Sequence, residues 1–259
     1  MRVENPFAAE VIPVAQTALG YWERALDGEA THDRFLGLAD WLVRQAQPGP
    51  DGVVWRTALP LPKYEIAEPW PSAMGQGEAI SVLLRAHAHT GEQRYADVAV
   101  QALGPMAVDV AEGGVARRID GHLVLEEYPA ARPVAILNGW IFALLGVHEL
   151  ATAGGEPAAA ALFEESYAGL LALLPRYDTG WWSLYSLYPH ARPDLAKPFY
   201  QRLHPVMLDA LAMVRPDPRL DAMARRWEAQ IGPLPMVRVV ADKLVFRAQR
   251  ELQARRGGH

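Results

Sequence analysis

The sequence predicts a mainly α fold built from helix hairpins in series. Three observations carry that. Apolar residues recur with a helical period over most of the chain, the breaks between periodic stretches are short, and 51% of the 259 residues are hydrophobic, enough for a substantial core. Helix hairpins in series must bury their inner faces on one another, as a bundle, a solenoid or a closed ring. The period alone does not choose among the three.

Taken in order, "DRFLGLADWLVRQAQ" places Phe35, Leu38, Leu42 and Val43 near one face, and the breakers of "PGPDG" (Pro48–Gly52) stop it. "EPWPSAMGQGEAIS" puts turn residues ahead of a helix. "GEAISVLLRAHAHTG" then repeats the period through Ile80, Leu83, Leu84 and His87, with Gly91 as its C-cap. "EQRYADVAVQAL" is the next helix. In "GGVARRIDGHLVLEEYP", Val115 and Ile119, then Leu123 and Leu125, flank Asp120-Gly121, which is a hairpin signal. "PVAILNGWIFALLGVHELA" is apolar nearly all round, as in a helix buried on most sides. "PAAAALFEESYAGLLALLPRY" is amphipathic, "TGWWSLYSLYP" is extended and aromatic-rich, and "LHPVMLDALAMV", "LDAMARRWEAQ" and the tail "VVADKLVFRAQRELQARR" are helical.

Composition limits function. A net charge of −5 argues against a dedicated nucleic-acid binder. The absence of cysteine excludes disulfides and thiolate-held metals. The opening "MRVENPFAAEVIPVAQ" lacks a basic segment followed by a long apolar run, and no stretch approaches ~18 apolar residues, so a cytoplasmic protein without leader or membrane span is expected. His87 and His89 face different sides of a helix, His148 and Glu149 are adjacent, and H-E-x-x-H, a phosphate loop and a dinucleotide fingerprint are missing. No metal and no cofactor are expected.

Unusual residues concentrate in four stretches: Trp70 to Gly77, "WPSAMGQG"; "LEEYP" with the Asn138-Gly139 that follows; "SLYSLYPH"; and "KPFYQRLH". In this order they resemble the C-terminal catalytic domain of the D-glucuronyl C5-epimerases. That family carries a W-x-SAM-x-QG block opening a helix, a GG…LEEYP element (here Gly113, Gly114 and "LEEYP"), an LNG helix ("ILNGWIFALLGVHEL"), an aromatic loop S-[IL]-Y-D-L-R-H and a Y-x-x-x-H element (Tyr200 and His204). The likeness spans about residues 30–215. It implies an (α/α) toroid over the whole chain, residues 1–259, with short β-hairpins at the site mouth and possible homodimers. It also implies a uronate-containing oligo- or polysaccharide as partner, and inversion at C5 of D-glucuronate to L-iduronate. Carried over motif by motif, the acid/base groups fall on Tyr128, Glu127, Tyr185 and Tyr200. The substrate-binding set is Gln76, Asn138, Tyr188, His190, Lys197, Arg202 and His204.

These residue types suit the reaction. C5 lies next to a carboxylate, so proton removal gives an enediolate-like species, and inversion needs one group on each ring face. Tyrosine, with a pKa of about 10, is a strong base once ionised and a competent acid when neutral. Ionising it near pH 7 costs roughly 4 kcal/mol unless a cation or donor helps. Arg192, Lys197, Arg202, His190 and His204 are the basic groups close to the tyrosines in sequence. Glu126 and Glu127, adjacent in a strand, should serve different partners.

The sequence also departs from the family. Ser186 and Tyr188 stand where the aromatic loop has Asp and Arg, and Pro198-Phe199 replaces Trp-Asp. A guanidinium could grip a carboxylate in bidentate fashion, and Tyr188 cannot. The chain is shorter than the animal enzymes and no counterpart of their N-terminal β-rich portion or membrane anchor is expected in it, so a smaller uronate glycan, or another acid with a proton α to a carboxylate, is expected to fit as well as a long sulfated polymer. A uronate lyase, which begins with the same proton abstraction, and a glycan-binding homologue without catalysis are the alternatives. A glycoside hydrolase would need facing carboxylates.

Overall fold

A computed structural model describes residues 10–67 and 69–242. The protein is mainly helical, with three two-stranded hairpins among the described residues. Its internal contacts group into two compact units, Met1–Ala172 and Leu173–His259.

The first unit is built on two inner helices. α1 (Val11–Leu26) and α2 (His32–Gln45) pack on each other and on α3 (Ala73–Thr90). Between them run two hairpins: β1 (Gln47–Gly49) with β2 (Gly52–Val54), and β3 (Arg56–Thr57) with β4 (Trp70–Pro71). α3 starts at Ser72, whose hydroxyl accepts the Gly75 N–H, and stops at Gly91 in the left-handed conformation, φ 75°. Every residue from Ala73 to Leu84 is buried. α4 (Gln93–Gln101) and the short α5 (Gly104–Ala107) lead to β5 (Ala116–Ile119) and β6 (His122–Leu125), paired across Asp120-Gly121. Both turn residues have positive φ, as a two-residue hairpin loop demands. α6 (Leu137–Thr152) is the second inner helix and packs along α3. Gly77 lies against the Ala143 backbone and Gly146 against the Gly77 backbone, so the two helices approach without side chains between them. The Arg85 guanidinium binds both Glu149 oxygens, 2.5 and 3.0 Å, at the far end of this contact. α7 (Pro157–Leu173) joins α6 through Trp140 Nε1–H donating to Ser166 Oγ at 2.8 Å.

The second unit begins with an extended aromatic stretch held by bridges between Asp178 and Ser183 and between Leu184 and Leu195. α8 (Pro198–Val214) and α9 (Pro218–Ala229) follow, and residues 233–242 are helical. Trp182, Leu195, Ala196 and Val239 form its buried centre, with Tyr185 and Tyr200 packed against them.

Three local expectations change. α1 is a full helix where the sequence reading places no element; its buried face, Val11, Val14, Ala15 and Ala18, is short-chained and gives little periodic signal. "PGPDG" does more than stop α2, because Pro50-Asp51 turns a hairpin with Asp51 at φ 54°. α8 starts at Pro198 rather than Leu203, with proline at the favoured first turn, which leaves Pro205 inside the helix. The tail helix expected over 239–256 lies outside the described residues beyond 242, as do residues 1–9 of the opening segment.

Candidate active site

In the first unit the chain leaves β6 into Glu126-Glu127-Tyr128. The Glu126 carbonyl accepts the Ala73 N–H at 3.0 Å, which fixes this loop on the start of α3. The two adjacent glutamates serve different partners. Glu126 is fully buried and its carboxyl accepts the N–H groups of Val134 (3.0 Å) and Ala135 (2.8 Å), with the Arg117 Nε 3.4 Å away. Ala135 has φ 45°, a conformation that disfavours a β-carbon, and these two bonds hold it in place just before α6. Glu126 is therefore a clamp. Burial pushes its carboxyl up to about 7 against the backbone donors and Arg117.

Glu127 faces α6. It lies so close to Gly139 that a β-carbon there would stand 2.1 Å from Glu127 Oε2, so glycine at 139 is what admits the carboxyl. Its carboxyl is hydrogen-bonded to the Tyr128 hydroxyl, and burial lifts its pKa to about 7 despite that bond and the nearby Lys63 charge. Tyr128 is half-buried. Its ring stacks on Tyr64 (centroids 5.3 Å, 29°) and meets Trp70 edge-on (5.5 Å). The Lys63 ammonium donates to the Tyr64 hydroxyl at 2.7 Å. A cavity of about 260 Å³ lined by Trp70, Pro71, Gly113, Gly114 and Pro129 opens along the same loop. Glu78, on α3, is buried with its Oε1 accepting from Gln16 Nε2 at 3.1 Å, and burial pushes it up to about 8. Asn138 is buried on the first turn of α6. Gln76 is held inside the fold, where its oxygen accepts the Trp55 N–H (3.2 Å) and its amide nitrogen donates to the Val53 and Ala102 carbonyls (2.9 and 3.0 Å).

In the second unit Tyr185 and Tyr200 are both half-buried with ring centroids 4.7 Å apart. Tyr200 and His204 lie four residues apart on one face of α8, centroids 6.4 Å. His204 is fully buried. The Ser183 hydroxyl donates to Gln201 Oε1 at 2.7 Å, so its 2.9 Å contact with His204 Nδ1 requires that nitrogen to carry the proton. Burial drives the His204 pKa down to about 3, and the Nε2 of the neutral ring is buried with no hydrogen-bond partner among the described residues. Gln201 also accepts the Ser183 N–H and donates to the Trp227 carbonyl, bracing α8 on α9. Ser186, in the family's Asp position, donates to Asp194 at 2.9 Å, and Tyr188 packs on His190 at 4.5 Å. Lys197 stands at the N-cap position of α8 without a side-chain capping bond and Arg202 lies in its first turns, both exposed.

Compared with known proteins, residues 51–229 match the family described as D-glucuronyl C5-epimerase C-terminus. The chain belongs to this family. It is 32% identical over 209 residues to the D-glucuronyl C5-epimerase of Caenorhabditis elegans, covering 74% of this chain and 34% of that protein. It is 28% identical over 183 residues to an uncharacterised protein of Methanocaldococcus jannaschii, covering 66% of this chain and 58% of the other. The chain thus spans about a third to somewhat over half the length of these relatives.

Within this epimerase-family chain, Tyr128 and Glu127 are brought together in the first unit, and Tyr185, Tyr200 and His204 in the second. Sequence reasoning misses Lys63, Tyr64 and the burial of Glu78. "LPKYEIAEPW" carries no local signal beyond a Lys-Tyr pair between prolines. Among the described residues no group of three or more His, Asp or Glu could hold a metal ion, and no helix is long and apolar enough to cross a membrane.

The buried carboxyls set the direction of pH dependence. Glu78, Glu126 and Glu127 all bind protons more tightly folded than unfolded, so their stabilisation is complete below their ordinary pKa and is lost as pH rises through about 7 to 8. His204 has the opposite sign, since its neutral burial is penalised only below about 6.5. Between pH 6.5 and 8.5 the carboxyls dominate over the lowered His148 and His204, whose opposing effect fades above about 6.5. Stability should fall by on the order of 2 kcal/mol across that window. Urea midpoints at the two pH values measure it, and a rise would refute the assignment.

Proposed function

We propose that this chain removes and returns the C5 proton of glucuronate units in a glycan, inverting that carbon. The observation that carries the reading is the hydrogen bond between the half-buried Tyr128 hydroxyl and the buried Glu127 carboxyl, in a chain whose family is the glucuronyl C5-epimerases. Glu127 accepts or orients the phenol proton, and Lys63, near Glu127 and bonded to Tyr64, supplies positive charge that favours the anionic forms. Tyr185 and Tyr200 are the partner acid/base phenols, with His204 Nε2 as an acceptor beside them. Asn138, Tyr188, His190, Lys197 and Arg202 remain the proposed substrate-binding groups. Gln76, whose amide is engaged by three backbone groups, is assigned instead to holding the β1–β2 hairpin against α3. A ring of helix hairpins, acting without cofactor on a uronate oligo- or polysaccharide, completes the proposal.

Incubation with glucuronate-containing glycans in heavy water, followed by NMR at C5, tests it. Deuterium uptake with appearance of iduronate is the expected result. An unsaturated product absorbing in the ultraviolet would make the chain a lyase, and no exchange with any uronate glycan would overturn the catalytic reading.

A further inference from the structure

The second unit holds a cavity of about 190 Å³ lined by its own residues, among them Trp181, Arg192, Leu195, Arg238 and Asp242. Arg238 and Asp242 stand one turn apart in the helical stretch 233–242, so they share a face. Arg238 does not pair with Asp242. Its guanidinium lies over the Trp181 ring, 3.8 Å from the centroid, and has no hydrogen-bond or ion-pair partner among the described residues. Asp242 faces Arg192 instead, Oδ1 to Nη1 3.6 Å, which is too long for a hydrogen bond, and both side chains are partly exposed. Such a pair contributes little and is easily exchanged for another. The cavity thus sets two guanidiniums against one carboxylate, an excess of one positive charge. Contact with an aromatic face leaves the in-plane N–H donors of a guanidinium available, and those donors grip a planar carboxylate in bidentate fashion.

We propose that Arg192 and Arg238 form an anion subsite that takes the carboxylate of a uronate unit in the glycan. The ligand class rests on the proposed function, whereas the cation pair and its cavity stand without it. Position favours a part of the same glycan. Leu195 lines the cavity and is bridged to Leu184, next to Tyr185, whose N–H donates to the Asp194 carbonyl at 2.7 Å. Leu195 also belongs to the buried cluster, completed by Val239 of the helical stretch 233–242, on which Tyr185 and Tyr200 pack. One small cluster therefore supports both the cavity and the phenols. Size favours a single charged group with part of a ring, since pockets that enclose a drug-sized ligand start at roughly 300 Å³. The sequence leaves a need for such a grip, because Tyr188 stands where the family's aromatic loop has a guanidinium. Arg192 follows four residues later, and Arg238 lies beyond residues 51–229, the part matched by the family. The subsite is a feature of this chain. Asp242 holds Arg192 until a ligand carboxylate replaces it.

Calorimetric titration with an unsulfated, glucuronate-containing tetrasaccharide and with its carboxyl-reduced counterpart tests the subsite without turnover. Arg238→Ala and Arg192→Ala should each weaken binding of the acidic glycan about tenfold, and R238K, which keeps the charge but loses the fork, should fall nearly as far. Asp242→Asn should tighten binding about threefold by removing the competing carboxylate. The carboxyl-reduced glycan should bind wild type and both alanine variants alike. In C5 exchange the arginine variants should raise KM more than they lower kcat. Undiminished binding of the acidic glycan in both alanine variants overturns the proposal, as does an equal loss with the carboxyl-reduced one or no binding by wild type. A sulfated glycan without carboxylates that binds as tightly, with the same dependence on Arg238, overturns the carboxylate assignment in favour of a sulfate ester. Circular dichroism melts confirm the fold of each variant; were Arg238→Ala to unfold, Arg192→Ala and Asp242→Asn still decide. If binding depends on the arginines while wild type exchanges no C5 proton, the epimerase reading fails and the subsite stands. If exchange proceeds with KM unchanged in the variants, the reading stands and the subsite fails.

Discussion

Tyr128→Phe is expected to slow deuterium incorporation at C5 by about 10²- to 10⁴-fold, the usual worth of a positioned proton-transfer group. The substitution removes one oxygen and leaves the ring. That ring is held between Tyr64 and Trp70, contacts made by its faces and edge rather than its hydroxyl, so the fold should survive with a stability change within about 1 kcal/mol. Glu127 would lose the donor that opposes its desolvation, so its pKa should climb further in the variant. Tyr200→Phe should act in parallel, since its ring keeps contact with Tyr185 (4.7 Å) and Phe199 (5.3 Å). Inversion needs two groups. Loss with Tyr128→Phe and full retention with Tyr200→Phe would transfer the second role to Tyr185, and full exchange in the Tyr128 variant would remove the loop after β6 from the chemistry. Circular dichroism melts beside the exchange assay separate a lost proton path from a lost fold.

Legibility in the sequence follows how local each interaction is. The hairpin at Asp120-Gly121 and the C-cap at Gly91 are readable because each is dictated by two or three consecutive residues whose backbone angles demand them. α6 is readable as a mostly buried helix because nearly every position is apolar. α3 is harder. Its polar Gln76 and Glu78 face different sides of the helix, yet both are buried, because helices pack around α3 and the β1–β2 hairpin covers its start. The Tyr128–Glu127 pair can be singled out from adjacency and the family motif. Its neighbours Lys63 and Tyr64 lie far back along the chain, before β4, and no spacing rule links them to it. In the second unit, Tyr200 and His204 are legible as an i, i+4 pair. That His204 is neutral follows from its burial, and that its proton sits at Nδ1 follows only from the Ser183–Gln201 bond, which sequence cannot place.

Gly146→Ala should destabilise the protein by about 3 kcal/mol, the upper part of the range for overpacking a tight contact. A β-carbon at 146 would stand 2.1 Å from the Gly77 carbonyl oxygen and 2.6 Å from the Gly77 Cα, and these are backbone atoms of a buried helix that cannot rotate away. Relief requires α6 to move off α3. The same displacement carries Gly139 and Asn138 away from Glu127 and stretches the Arg85–Glu149 pair at the other end of the contact. The helix propensity of alanine favours the substitution by about 1 kcal/mol, well short of the clash. Gly20, inside α1, supplies the contrast, because a β-carbon added there would meet nothing within 4 Å: Gly20→Ala should be neutral or slightly stabilising. Urea unfolding of the two variants side by side measures the difference. Equal midpoints would mean that α3 and α6 are not held at glycine distance, and Glu127 would then have no reason to depend on a glycine at 139.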